Sequence, residues 1–154
     1  MKLSKRLDSA LNKLYIAFNN DMLNPECCKQ CAVGNICNNT DFWKNFTEVH
    51  GSVVLNYLGT LHERLGRTYY GYSPKELLQI EAVFLKGCGY ELPYKHGNKK
   101  PQHPTSKDIL FNGLNYVVKY LCELDGVPDV MDTRKLFNYI PEKESEEVLS
   151  SHSF

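Results

Sequence analysis

Apolar residues along this chain recur mostly at helical spacing. Leu3, Leu7, Leu11, Leu14 and Phe18 step by three and four, which predicts a first helix ended by Asn19-Asn20-Asp21. Asn24-Pro25 reads as a cap followed by a first helical residue, with Gly34-Asn35 as the stop, so a short helix is expected over 25–33. Thr40 is placed to cap another short helix carrying Phe42, Trp43 and Phe46. A longer helix is expected from His50 to Leu65, with Val54, Tyr57, Leu58, Leu61 and Leu65 turned inward. Ser73-Pro74-Lys75-Glu76 is a capping box with proline at the first helical position; the helix it starts runs through Leu77, Leu78, Ile80, Val83, Phe84 and Leu85 to Gly87. From Cys88 to Pro104 the chain reads as a loop. The last long helix begins near Thr105 or Ser106, carries Ile109, Leu110, Leu114, Val117, Val118, Leu121 and Leu124, and stops at Gly126 and Pro128. Gly113 inside it points to a close approach between helices or to a ligand against the backbone. Met131 to Tyr139 reads as a further short helix.

No alternating run bounded by turn signals predicts a strand. The expectation is one all-α domain over residues 1–140, about six helices in bundle-like packing, followed by an acidic, Ser-rich tail over 141–154. At 154 residues the chain can bury a core without a metal or disulfide to hold it.

Charge narrows the function classes. Lys+Arg and Asp+Glu both number 18, so no global field attracts nucleic acid, and no nucleic-acid partner is expected. No run is long and apolar enough for a membrane span, and the N-terminus does not develop a secretory h-region. The expected location is the cytoplasm, where thiols stay reduced and favour metal binding, catalysis or packing over disulfides.

The chemistry concentrates in Cys27-Cys28-Lys29-Gln30-Cys31-Ala32-Val33-Gly34-Asn35-Ile36-Cys37, which holds four of the six cysteines. The economical metal site is Cys28, Cys31 and Cys37 with a fourth ligand from Cys27, Cys88, Cys122, His50 or His62. A single C-x2-C is half of a zinc site, so zinc ranks before an iron–sulfur cluster, whose ferredoxin spacings are not matched. Thiol redox or nucleophilic work at a helix start is the alternative reading. Simple packing is the third, since cysteine behaves as a small hydrophobe, and it makes the chain an interaction module with a protein partner. Cys88 and Cys122 lie in apolar surroundings and read as packing residues.

Other motifs add less. His62-Glu63-Arg64-Leu65-Gly66 lacks the second histidine of H-E-x-x-H, and there is no P-loop, nucleophile elbow or dinucleotide fingerprint. Lys95, His96, Lys99, Lys100 and His103 form the one local basic patch; they are candidates for holding an anion or lie on a solvated loop. Tyr69, Tyr70 and Tyr72 read as a seal between helix ends or the floor of a ligand pocket.

The stretches Leu14–Phe18 and Asn24–Asn35, with Leu77–Glu81, Gly87–Tyr90 and Leu110–Leu114, resemble a group of small bacterial proteins that carry the name of the sodium-translocating NADH–quinone reductase, after its NADH-oxidising component. The resemblance covers most of the chain except the tail, and that name implies an association with electron transfer. The NADH-oxidising component itself carries a membrane helix, a plant-type ferredoxin domain and a flavin/NADH reductase domain. The order Cys28-x2-Cys31-x5-Cys37 does not match that ferredoxin spacing, so the resemblance implies no site residue.

Overall fold

In the computed structural model, residues 3–93, 97–128 and 133–141 are described. They form six α-helices and one 3-10 helix, with no strand among the described residues. The helices are α1 (Lys5–Asn19), α2 (Ala32–Ile36), α3 (Tyr57–Arg64), α4 (Pro74–Cys88), α5 (Lys107–Leu124) and α6 (Thr133–Phe137), and the 3-10 helix covers Phe42–Phe46. The all-α expectation holds.

The frame is the α4–α5 pair. The capping box forms as the sequence predicts: the Glu76 amide donates to the Ser73 hydroxyl at 3.2 Å, and the Ser73 amide donates to the Glu76 carboxylate at 2.9 Å. Gly89, at φ 102°, closes the helix in the left-handed region. Gly113 does mark a close approach. A Cβ built on Gly87 would lie 2.8 Å from the Gly113 Cα, and one on Gly113 would lie 2.5 Å from the Cys88 Sγ. The two helices therefore touch nearly backbone to backbone there, with Leu77, Phe84 and Leu85 packing against a core that includes Leu110, Leu114, Val117 and Leu121.

α1 lays its buried stripe, Leu7, Leu11, Leu14 and Phe18, onto this frame. Arg6 fixes its start: its guanidinium donates to Asp125 at 2.7 Å and to the Gly71 carbonyl at 2.9 Å, and lies over the Tyr72 ring. Tyr72 is thus buried under an arginine, while Tyr69 packs on Phe42 and Phe46. Tyr69 and Tyr72 thus pack between the ends of elements, the first of the two readings, while Tyr70 is exposed beneath Lys13.

Two expected helices differ from the structure. Residues 25–31 are turns rather than helix, closed by bonds such as Cys31 N–H to Cys27 O at 2.8 Å. The helix in this region is α2, and it runs through the expected stop Gly34-Asn35. Asn24 does accept the Glu26 amide at 2.9 Å, as a cap would, but the chain then closes successive turns, with Cys27 N–H to Asn24 O at 3.2 Å and Gln30 N–H to Cys27 O at 2.9 Å. Cys31 is the real cap, its sulfur accepting the Gly34 amide at 3.3 Å. Gly34 is there for space, since a Cβ would come within 2.7 Å of the Lys29 carbonyl oxygen. The helix expected from His50 also starts late. Asn56 caps it, accepting the Gly59 amide at 2.8 Å.

The short helix expected over Met131–Tyr139 is observed as α6, with residues 131 and 132 outside the described residues. Residues 142–154 of the expected tail also lie outside them; Pro141 is buried.

Candidate functional site

The structure gathers part of the cysteine segment around a carboxylate that spacing arguments passed over. Glu81 stands on the buried face of α4, one turn after Leu77 and one before Phe84 and Leu85, and is wholly buried. Its Oε1 accepts the Val33 amide at 3.3 Å. Its Oε2 pairs with His50 Nε2 at 3.0 Å. The Cys31 thiol donates to the Cys28 carbonyl at 3.6 Å, and the nearby Glu81 carboxylate disfavours its thiolate. The His50 ring meets the edge of Trp43 at 5.8 Å between centroids, and Trp43 Nε1 donates to the Cys28 carbonyl at 3.0 Å. One buried carboxylate thus ties α4 to the start of α2 and to the loop at His50.

The remaining thiols are placed elsewhere or differently. Cys27 and Cys28 are half-buried near the surface, and Cys31, Cys37 and Cys88 are buried. Cys37 faces Lys13, whose ammonium donates to the Ile36 carbonyl at 2.8 Å. Cys88 belongs to the α4–α5 contact, and Cys122 is buried on α5. Burial pushes the Cys28 thiol up, with Glu81 adding to it. Burial pushes Cys31 well up, again with Glu81 adding. The Cys37 thiol is raised to about 12 by burial, against a smaller pull from Lys13. Cys88 is raised by the same cause. Activation for nucleophilic or redox work needs the opposite shift. Among the described residues, no group of three or more His, Cys, Asp or Glu side chains could hold a metal ion.

Of the basic loop, Lys95 and His96 lie outside the described residues. Lys99, Lys100 and His103 are exposed. His103 lines an open cavity of about 840 Å³ with Lys86, Cys88, Ser106 and Asn112.

The second feature is α3, where the sequence expectation is reversed. Its apolar stripe faces out: Tyr57 is 86% exposed, Leu58 and Leu61 42% each and the C-cap Leu65 58%, with Val54 in the preceding segment 71% exposed. The side toward the body is Gly59, His62 and Glu63. A Cβ on Gly59 would lie 2.6 Å from the Phe46 carbonyl oxygen, so glycine sets the close approach. His62 stacks on Phe46 and its Nδ1 shares a hydrogen bond with the Tyr69 hydroxyl. Glu63 accepts the Lys75 amide at 2.9 Å in the first turn of α4. Asn56 donates to the Asn45 carbonyl at 2.9 Å. Polar bonds pin this helix to the core, and its apolar arc of about 100° is left in solvent.

Glu81 had a legible signal: it falls at helical spacing from Leu77, Phe84 and Cys88, the centre of the buried face. The orientation of α3 had a weaker one, in the small Gly59 followed by His62 and Glu63 at three and four residues. Comparison of the chain with protein-family models, with curated proteins and with solved structures yields no match.

Proposed function

We propose that this chain is a non-catalytic protein-interaction module, and that the outward arc of α3 is its docking face. The observation that carries the reading is the inversion of α3. An amphipathic helix ordinarily buries its apolar stripe. Here the stripe is solvent-facing and contiguous, and exposed apolar patches of this kind mark interaction sites. The arc offers a partner Tyr57 as an aromatic anchor, with leucines beside it. The cysteines fit the same reading, because thiols raised by burial act as packing residues rather than as chemistry. A photo-crosslinking residue at position 57 or 65, in the cell, is expected to give a defined protein adduct identified by mass spectrometry. The same residue at Ile16, an exposed apolar position on α1, is expected to give none. Equal adducts at all three positions, or none anywhere, overturn the proposal.

A second reading keeps the metal of the cysteine segment, zinc before iron–sulfur. Its support is chemical: the Glu81 carboxylate and the His50 imidazole, both donors zinc accepts, are paired at 3.0 Å beside the segment that carries Cys28 and Cys31. Binding would require these side chains to close on the ion together with Cys28, and the thiols to release protons. Elemental analysis of anaerobically purified protein tests it. About one zinc per chain, lost in Glu81→Gln, supports the site; less than about 0.1 per chain rejects it.

A further inference from the structure

We infer that the occupant of the α3 face is a second copy of this chain, paired antiparallel about a twofold axis. The inference rests on the reading of α3 as a docking face, and three observations select this partner.

The first is size. The exposed fractions of Val53, Val54, Tyr57, Leu58, Leu61 and Leu65 amount to on the order of 600 Å², against roughly 800 Å² per partner in a standard interface once a polar rim is added.

The second is charge. Between Val53 and Leu65 the charged residues are Glu63 and Arg64. Glu63 is turned inward onto the Lys75 amide, and Arg64 lies to one flank, so the seam itself carries no charge. An acidic or basic partner finds no charged pattern along it to read, whereas an uncharged seam matches its own copy. The chain's formal net charge of zero adds no repulsion between copies.

The third is spacing. Leu58, Leu61 and the C-cap Leu65 step by three and four along α3, the spacing of a two-stranded helical seam, with Val54 in the segment just before the helix. In an antiparallel pair, Leu58 of each chain meets Leu61 of the other across the axis. Tyr57 and Arg64 then share one flank of the seam, so each tyrosine ring lies beside the other chain's guanidinium, a favourable cation–π arrangement. A twofold contact of this kind is self-complementary and closed.

Sedimentation velocity of the purified full chain over a range of concentrations tests the proposal. The expected species has twice the 17.7 kDa chain mass. Leu61→Asp is expected to weaken the dimer at least about 100-fold while the circular dichroism spectrum stays unchanged, and Leu65→Asp is expected to do the same. Ile140→Asp, at an exposed apolar position on another element, should leave the dimer intact. A wild-type chain that stays monomeric at every concentration overturns the second copy as partner, as does a dimer that survives both aspartates. The docking face itself fails separately, if position 57 gives no adduct to any protein in the cell.

Discussion

Glu81→Ala is expected to destabilise the protein by about 3–5 kcal/mol, lowering the melting temperature by roughly 10 °C for a chain of this length. The carboxylate has no contact with solvent and serves two groups at once: the Val33 amide and the His50 imidazole. Alanine leaves the buried amide with no acceptor from Glu81, takes the carboxylate from His50, and opens a cavity in the face of α4. The loss is amplified by topology, because Glu81 joins elements that are distant in sequence. Glu81→Gln keeps the shape and an acceptor oxygen, so it should cost clearly less than alanine. Urea unfolding of both variants checks this. An alanine variant within about 1 kcal/mol of the wild type would mean that the carboxylate does not hold the cluster together.

The second large effect is expected on raising the pH. Cys31, Cys37 and Cys88 all have thiols pushed up by burial, Cys37 to about 12, from an ordinary value of 9.0. When a folded-state value lies above the unfolded one, the stabilisation is complete below the unfolded value. It is lost as pH rises, because the unfolded chain then releases protons that the folded chain retains. The thiols therefore leave stability unchanged up to about pH 8 and remove it between about pH 9 and 12. From pH 8 to 10 the loss from Cys37 is on the order of 1 kcal/mol, and Cys31 and Cys88 change stability in the same direction. Urea midpoints at the two pH values measure this. Cys37→Ala should make the loss measurably smaller, which separates the thiol contribution from tyrosine and lysine titration. The same slope in wild type and variant would contradict the burial of Cys37.

The parts of this fold that read well from sequence are those whose local signals agree with their packing. The capping box at Ser73, the α4 stripe and the α5 stripe point the same way, and the structure follows them. The parts that misread have a side chain that answers a different demand. Asn24 looks like a helix cap and makes the matching bond to the Glu26 amide, but turns follow it, and the helix in this region is capped by Cys31. The stripe from Val54 to Leu65 has good helical periodicity, and periodicity states which residues share a face without stating which way the face points. Direction is decided by Gly59, His62 and Glu63, whose contacts with Phe46, Tyr69 and Lys75 come from other elements. For the site, spacing named Cys31 and His50 but not the carboxylate beside them. Glu81 is a single acidic residue embedded in an apolar helix, where no ligand spacing points to it.

The central claim is that the apolar arc of α3 faces away from the core, and its most direct test is the stability of the double variant Tyr57→Gln, Leu65→Gln. It should be measured by urea unfolding at a concentration low enough that the wild-type chain is monomeric. With both side chains in solvent, the change should stay within about 1 kcal/mol, with the denaturant slope unchanged. A loss of about 4 kcal/mol or more would place these residues in the core, and would contradict the docking face and everything built on it.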